Sequence, residues 1–167
     1  MAKDLDDLET FLMNPGVAPD QTAFVYLPGQ SVGYLVRDAN RLFGRNLQDK
    51  IASAGVLLGH WYFLRVLWED EGLTQRELSE RVGMKESTTF TALTSMERNG
   101  LIRRSRNETD RRKVNVFLTP KGKALKAKLL PLAKDVNEIA TQDFSADEVK
   151  QLRTLLERVR RNLDTRE

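Results

Sequence analysis

Arginines are concentrated around one turn of this 167-residue chain, in the stretch RSRNETDRRKVNVFLTPKG from Arg104 to Gly122. The turn itself, Asn107-Glu108-Thr109-Asp110, is followed at once by Arg111 and Arg112. Guanidinium groups neutralise phosphates, and at a narrow tip they can enter the minor groove of A·T-rich DNA, where the potential is strongly negative. The stretch therefore predicts contact with a DNA backbone. The alternative is a solvated charged turn.

The residues around this turn have the pattern of a β-hairpin. Arg103 to Arg106 is the predicted outgoing strand, and Lys113 to Thr119 is the returning strand, in which Val114, Val116 and Leu118 alternate toward one face. Such a hairpin would hold its basic residues at the tip. The predicted DNA-contacting residues of this wing are Arg106, Asp110, Arg111, Arg112 and Lys113.

Two short helices are predicted before the hairpin. Thr74 and Glu77 have the spacing of a capping box, which starts a helix over Gln75 to Arg81. After Val82-Gly83 a second helix begins near Lys85 to Ser87 and runs to Arg98. Two such helices form a helix-turn-helix, whose second helix normally enters the DNA major groove. A helix-turn-helix followed by a hairpin is a winged helix.

The second helix has an apolar face and a polar face. Thr89, Ala92, Leu93 and Met96 lie at i, i+3, i+4 and i+7 and should pack inward. Hydroxyl side chains on the opposite face can donate to phosphates or bases, and threonine methyls can meet the thymine methyl. The alternative is a tolerant polar helix surface. The residues predicted to face the groove are Lys85, Ser87, Thr88, Thr91, Thr94 and Ser95.

Longer helices are predicted on both sides of the winged helix. Ser31 caps an amphipathic helix that ends near Ala52 to Gly55, and a largely apolar helix follows from His60 to Asp70. A basic helix runs from Pro120 to about Thr141, and a capping box at Ser145 starts the last helix. That helix carries an apolar stripe, which the N-terminal helices of the same chain or of a partner must cover. The stripe consists of Val149, Leu152, Leu155, Leu156, Val159 and Leu163.

Composition excludes several classes of function. The chain has no cysteine, so disulfides, thiolate nucleophiles and thiol redox sensors are excluded, and with one histidine no metal site is expected. No catalytic triad or phosphate-binding glycine loop is visible, so we expect neither an enzyme nor a cofactor. The acidic N-terminus lacks the features of a secretory signal, and no apolar run is long enough for a bilayer, so we expect a cytoplasmic protein without membrane contact. The net charge of +3 is too small to indicate nucleic acid by itself.

The central motifs resemble those of the MarR family, bacterial regulators named for multiple antibiotic resistance. The resemblance covers roughly Val32 to Leu163 and implies a mainly α fold with a small β-hairpin wing, in which N- and C-terminal helices form a dimer. The segments that carry it are Leu78–Met84, Ser87-Thr88, Met96–Ile102, Asp110-Arg111-Arg112, Val114–Thr119 and Gly122.

The resemblance also implies a mode of action. It implies an obligate homodimer that binds a palindromic operator on double-stranded DNA, with one tip arginine in the minor groove and Asp110 bracing an arginine through an ion pair. Many members carry arginine where Thr91 stands, so this chain has no bidentate guanine reader there. We expect a repressor released by a small aromatic or phenolic ligand or its coenzyme A thioester. The expected ligand residues are Tyr34, Arg37, Arg41, His60, Trp61 and Arg65.

Other interpretations remain open. His60 and Trp61 could be ordinary core residues, and the protein could bind DNA without an effector, as an architectural protein or a competitor of other regulators. A winged helix used for protein contacts is a further alternative. The expected organisation is an N-terminal arm and linker (1–30), a dimerisation helix (31–58), the winged helix-turn-helix (59–119) and C-terminal dimerisation helices (120–167).

Overall fold

A computed structural model describes residues 31–107, 110 and 113–164. Helices dominate it, with one small antiparallel sheet, as expected from the sequence. The chain divides into two compact units, one ending at Ala39 and one from Asn40 to Glu167. The elements are α1 (Val32–Ile51), a 3-10 turn (Ala52–Ala54), α2 (Leu58–Leu67), β1 (Leu73–Thr74), α3 (Gln75–Val82), α4 (Glu86–Arg98), β2 (Ile102–Arg106), β3 (Val114–Leu118), α5 (Pro120–Ala140) and α6 (Ala146–Leu163).

Helix α1 begins and ends where its local residues predict. Ser31 Oγ accepts a hydrogen bond from the Tyr34 backbone N–H at 3.1 Å, so Ser31 satisfies a donor of the first turn. The helix passes through the 3-10 turn into Gly55, whose φ of 71° is a left-handed conformation that glycine adopts without a steric penalty. The predicted cap and end of this helix are confirmed.

Helix α2 lies in the centre of the core. It runs from Leu58 to Leu67, starting two residues before the predicted His60 and ending three before Asp70. Phe63, Leu64 and Leu67 have no solvent-exposed surface. Burial of each such side chain contributes roughly 1.5–3 kcal/mol, so α2 holds the surrounding helices in place.

The helix-turn-helix is built by two local signals. The Thr74–Glu77 capping box is present, with Thr74 Oγ1 accepting from the Glu77 backbone N–H. Gly83, at a φ of 72°, ends α3 in the left-handed conformation and turns the chain into α4. Leu78 on α3 and Leu93 on α4 are fully buried, so both helices are fixed to the same core.

The sheet has three strands in the order β1-β3-β2, where the sequence predicted two. The added strand β1 pairs Leu73 with Val116 and Thr74 with Asn115. Gly72, at a φ of 81°, leads the chain into β1. A two-residue strand has no periodicity of its own, and it forms only because β3 offers a free edge.

The last two helices also begin where the sequence predicts. Thr119 Oγ1 accepts from the Gly122 backbone N–H at 3.1 Å, and Pro120 occupies the first turn of α5. Ser145 forms its capping box with Glu148 at the start of α6. No described residue of α6 is buried. Within the described residues, no helix is both long and apolar enough to span a membrane.

Candidate nucleic-acid interface

One face of α4 is anchored in the core and the opposite face is open. Thr89, Leu93 and Met96 have no exposed surface, and Ala92 is half-buried against the same core. The inward face predicted from the sequence is therefore confirmed. Since α4 follows α3 across the Gly83 turn, the outer side of α4 is the surface that a helix-turn-helix presents to the major groove.

Four of the six residues predicted to face the groove are exposed on this outer surface: Lys85, Ser87, Thr88 and Thr91. Thr91 Oγ1 donates to the Ser87 carbonyl oxygen at 3.1 Å, one turn earlier in the helix. That bond uses the hydroxyl hydrogen within the helix, so only the methyl group and the oxygen lone pairs of Thr91 are available to a partner.

The structure corrects the placement of Thr94 and Ser95. Both were predicted to face the groove, but both are half-buried at the flanks of α4. Thr94 Oγ1 accepts from Arg104 Nη2 at 2.7 Å, and Ser95 Oγ lies 3.1 Å from His60 Nε2. Because β2 flanks one side of α4 and α2 the other, the open face is narrower than the helical repeat alone indicates.

Arg104 of β2 is held by three side chains of α4. Besides the bond to Thr94, its Nε lies 3.3 Å from Glu97 Oε2, and its guanidinium carbon lies 5.5 Å from the centroid of the Phe90 ring. The Arg104 backbone N–H donates to Glu97 Oε1 at 3.2 Å. We call Phe90, Thr94, Glu97 and Arg104 the Arg104 cluster. It joins α4 to β2 and offsets the charge of Glu97, an acid on the outer side of α4.

Sequence reasoning missed the Arg104 cluster. The spacing of Phe90, Thr94 and Glu97 at i, i+4 and i+7 places them on one side of a helix, and this signal was available. What the sequence did not offer was their partner, because the approach of β2 to that side is a tertiary property. Arg98, exposed at the end of α4, was also not predicted as part of this surface.

The wing is closed by asparagine hydrogen bonds. The Asn107 backbone N–H donates to the Lys113 carbonyl at 2.9 Å, and Asn107 Oδ1 accepts from the Asp110 N–H at 2.9 Å. Asn107 Nδ2 donates to Asn115 Oδ1 at 3.1 Å. This network, which sequence reasoning did not identify, sets the width of the hairpin where the tip begins.

The predicted wing residues fall into two groups. Arg106 and Lys113 are exposed and Asp110 is half-buried. Arg111 and Arg112 lie outside the described residues, so the predicted minor-groove arginine and its ion pair with Asp110 stay predictions. On β2, the Arg103 guanidinium carbon lies 4.6 Å from the centroid of the Phe117 ring of β3, a cation–π contact that keeps a further positive charge on the hairpin.

The six expected ligand residues divide between the two compact units. Tyr34 and Arg37 lie in the first, where the Arg37 guanidinium carbon lies 5.2 Å from the centroid of the Tyr34 ring. Arg41, His60, Trp61 and Arg65 lie in the second, with Arg41 and Arg65 exposed. A shallow cavity of about 270 Å³ contains none of the six. Its lining is Leu67, Trp68, Glu69, Glu71, Leu118, Lys123 and Lys126.

His60 and Trp61 are part of the core. Trp61 is 5% exposed and packs edge to face on Trp68 with ring centroids 5.8 Å apart, while Arg65 covers its ring at 5.5 Å. His60 is 2% exposed, and its Nδ1 has no hydrogen-bond partner among the described residues. Burial lowers the pKa of His60, so the neutral imidazole is favoured. The sequence left open that His60 and Trp61 are core residues, and in the structure both are buried in the core.

The predicted dimer stripe on α6 is uncovered within the described chain. Leu152, Leu155, Leu156 and Leu163 are exposed, the last by 76%, and Val149 and Val159 are half-buried.

The part of the chain that the structure describes has no cluster of three or more histidines and acids able to hold a metal ion.

Known proteins with similar sequences are transcriptional regulators. The model of the MarR family matches residues 58–114. The HTH-type transcriptional regulator TtmR of Methylorubrum extorquens is 35% identical over 96 residues, which cover 58% of this chain and 49% of TtmR, about half its length. The organic hydroperoxide resistance transcriptional regulator of Bacillus subtilis is 28% identical over 74% of this chain and 82% of its own.

Solved structures show the same fold. A MarR transcriptional regulator from Methanosarcina mazei Go1 superimposes with a TM-score of 0.74 at 29% sequence identity, covering 78% of this chain and 94% of that one. The aligned share includes most of the described residues. The helices, the wing and the order of the elements are therefore those of a known group of regulators.

Proposed function

Because the chain belongs to the MarR family of DNA-binding winged-helix transcriptional regulators, we propose that it is a homodimeric repressor that binds a palindromic operator and is released by a small aromatic ligand. The observation that carries the DNA-binding part of the proposal is the open face of α4. The opposite face of this helix packs into the core, and Arg104 ties the helix to the basic hairpin.

The proposed DNA contacts follow from this face. Lys85, Ser87, Thr88 and Thr91 are exposed at the N-terminal half of α4, the part of a recognition helix that reads base edges. Arg106 and Lys113 lead to the wing tip, where we place Arg111 and Arg112 in or beside the minor groove on the basis of the sequence. Phosphate contacts from the wing would supply affinity, and contacts from α4 would supply sequence preference.

The proposed dimer rests on the uncovered stripe of α6. A terminal helix with leucines at Leu152, Leu155 and Leu156 exposed by 38–46% gains stability if a second apolar surface covers it. A two-fold dimer would place the two α4 helices about one helical turn of DNA apart, ~10 bp between half-site centres. The proposed organisation is an arm at 1–30, dimerisation helices at 31–58 and 120–167, and the DNA-binding domain at 59–119.

The proposed release by ligand is a coupling between two sites. A ligand that binds better to a conformation with wrongly spaced α4 helices shifts the population away from DNA, typically with ~1–3 kcal/mol of coupling. Because the chain has no cysteine, thiol oxidation cannot provide the signal. A phenolic or aromatic acid, free or as its coenzyme A thioester, is the proposed effector class, with Tyr34, Arg37, Arg41, His60, Trp61 and Arg65 as candidate contacts.

The test is fluorescence anisotropy of the purified protein on fragments of its own upstream DNA, at two salt concentrations, with and without a panel of phenolic acids and their coenzyme A esters. We expect binding that weakens steeply with salt and is lost with one class of ligand. Arg112→Ala should reduce the slope of log K against log salt by ~1. Arg161→Ala is the matched control, since Arg161 lies on the face of α6 opposite the leucine stripe.

Three results would each contradict a part of the proposal. Salt-sensitive binding that no ligand disturbs would remove the effector and leave a DNA-binding protein without one. Absence of binding to every fragment would remove the DNA-binding function, and an equal loss of salt slope in both arginine variants would remove the specific role of the wing.

A further inference from the structure

Phe90 is an exposed aromatic residue on the outer surface of a recognition helix. Its side chain is 53% exposed, although it sits between the buried Thr89 and the open Thr91. The other exposed residues of this half of the helix, Glu86, Ser87, Thr88 and Thr91, are polar or charged. Exposing a phenyl ring to water is unfavourable, so a contact that removes the ring from water when DNA binds would stabilise the complex.

The ring is held in place by the Arg104 cluster. The Arg104 guanidinium carbon lies 5.5 Å from the Phe90 centroid and supports one face of the ring. The guanidinium is itself fixed at 2.7 Å from Thr94 Oγ1 and 3.3 Å from Glu97 Oε2. A side chain backed by a fixed group loses less conformational entropy on binding than a free one. The Phe90 ring is therefore pre-organised for binding.

The position of Phe90 in α4 matches a residue that reaches bases. It is the fifth residue of a helix that begins at Glu86, and it forms a continuous row with Ser87 at i−3 and Thr94 at i+4. The N-terminal residues of a recognition helix contact base edges in the major groove. A phenyl ring can neither donate nor accept a strong hydrogen bond, and the apolar feature that the major groove offers is the C5-methyl group of thymine.

We propose that Phe90 is a specificity-determining residue that contacts a thymine methyl group in each half-site, and that Arg104 is a positioning residue that acts through Phe90. This inference rests on the proposed function, because it requires α4 to enter the major groove. It also supplies a base reader of a different kind at a helix whose neighbouring Thr91 cannot form a bidentate contact with guanine.

The competing role for Phe90 is structural: the ring could serve only to cover Arg104 and so to fix the wing. The two roles differ in what they do to sequence preference. Loss of a methyl reader removes discrimination at one base position, whereas loosening of the wing weakens binding to all sequences alike.

The experiment removes the methyl groups from the DNA one at a time. The shortest upstream fragment that the wild-type protein binds is made with each thymine in turn replaced by deoxyuridine, and the Kd is measured by anisotropy. We expect about a 3- to 5-fold loss of affinity at one symmetry-related pair of positions, the size expected for losing burial of one methyl group. At every other thymine the Kd should stay within about 2-fold.

Variants of the protein then assign the effect. Phe90→Ala should bind the thymine fragment more weakly and should show no further loss with deoxyuridine at the sensitive positions. Arg104→Lys, which leaves Phe90 in place, should reduce the ratio of the affinities for thymine and uracil DNA at the sensitive positions. Thr91→Ala removes another exposed methyl group of the same half of the helix; because Thr91 is a proposed DNA contact the affinity can fall, but the ratio of affinities for thymine and uracil DNA should stay at the wild-type value. Thermal unfolding checks that each variant is folded.

The outcomes separate this inference from the function on which it rests. If the wild-type protein binds but no thymine is sensitive, or if Phe90→Ala keeps the wild-type ratio, the inference is wrong and the proposed function stands. If Thr91→Ala abolishes the ratio and Phe90→Ala does not, the methyl is read by Thr91. If no fragment is bound with salt-sensitive affinity, the proposed function and the inference fall together.

Discussion

At the scale of the residue, His60 connects the core to the recognition helix. It is buried on α2, its Nε2 lies 3.1 Å from Ser95 Oγ on α4, and its Nδ1 has no hydrogen-bond partner among the described residues. A protonated imidazole would place a charge at an apolar site, and burial lowers the pKa of His60 for that reason. The pH dependence of stability should therefore carry a contribution from this one side chain.

We expect the free energy of unfolding to fall as pH drops through about 6.5, the ordinary pKa of histidine, toward the lower pKa of the folded state. In that window the unfolded chain binds the proton and the folded chain does not, so stability rises with pH. One proton limits the slope to ~1.4 kcal/mol per pH unit. The slope is measured from the free energy of unfolding in urea at pH 7.5, 6.5 and 5.5.

His60→Gln is the reference for this measurement, because glutamine can still hydrogen-bond Ser95 but does not titrate. Carboxylates contribute equally to the pH dependence of unfolding in both proteins. The difference between the wild-type and variant free energies of unfolding at each pH therefore reports on His60 alone. Parallel pH dependences in the two proteins would show that His60 is solvated or compensated in the folded state.

At the scale of the element, the start of α5 is set by a glycine at a close approach. A Cβ on Gly122 would overlap the backbone oxygen of Leu101 and would also press on Leu118. The Gly122 carbonyl oxygen accepts from Trp68 Nε1 at 2.9 Å, which fixes α5 to the end of the α2 segment. The position of α5 therefore depends on the absence of a side chain at this residue.

We expect Gly122→Ala to lower the free energy of unfolding by about 2 kcal/mol, because the overlap outweighs the ~1 kcal/mol that alanine gains over glycine as a helix former. Gly59→Ala is the matched control: Gly59 also lies inside a helix, and a Cβ there meets no atom within 4 Å. That variant should be neutral or more stable by up to ~1 kcal/mol. Chemical denaturation of both proteins tests the pair, and a stabilised Gly122→Ala would refute the close approach.

At the scale of the whole molecule, α6 exposes an apolar stripe that its own chain leaves uncovered in the described residues. Leu156 is 45% exposed in the middle of this stripe. If a second copy covers the stripe, a charge at this position must be buried without a partner on dimerisation, which is strongly unfavourable.

We expect Leu156→Glu to shift the protein from twice its chain mass of 19.1 kDa toward the monomer in analytical ultracentrifugation. Thr154→Glu places the same charge on the opposite face of α6, where Thr154 is exposed, and should leave the dimer intact. If Leu156→Glu remains a dimer, the interface lies elsewhere on the chain. If the wild-type protein is a monomer at micromolar concentration, the proposed dimer is wrong.

Much of this fold follows from short stretches of sequence. The capping boxes at Thr74 and Ser145, the glycine turn at Gly83 and the inward face of α4 were all predicted and are present. Each depends on residues within a few positions of one another, because helix periodicity and end capping are local properties of the backbone. The winged-helix type of fold follows from the order of these elements.

The tertiary structure alone decided which side chains of the recognition helix stay open. Ser95 is occupied by His60, 35 residues earlier, and β1 exists because Leu73 meets Val116 across the sheet. Arg104 is close in sequence to Glu97, yet their contact depends on the side from which β2 approaches α4. Such pairings are fixed by packing between elements rather than by spacing along the chain, so the sequence by itself determined the helices and the wing, and the packing determined the surface they present.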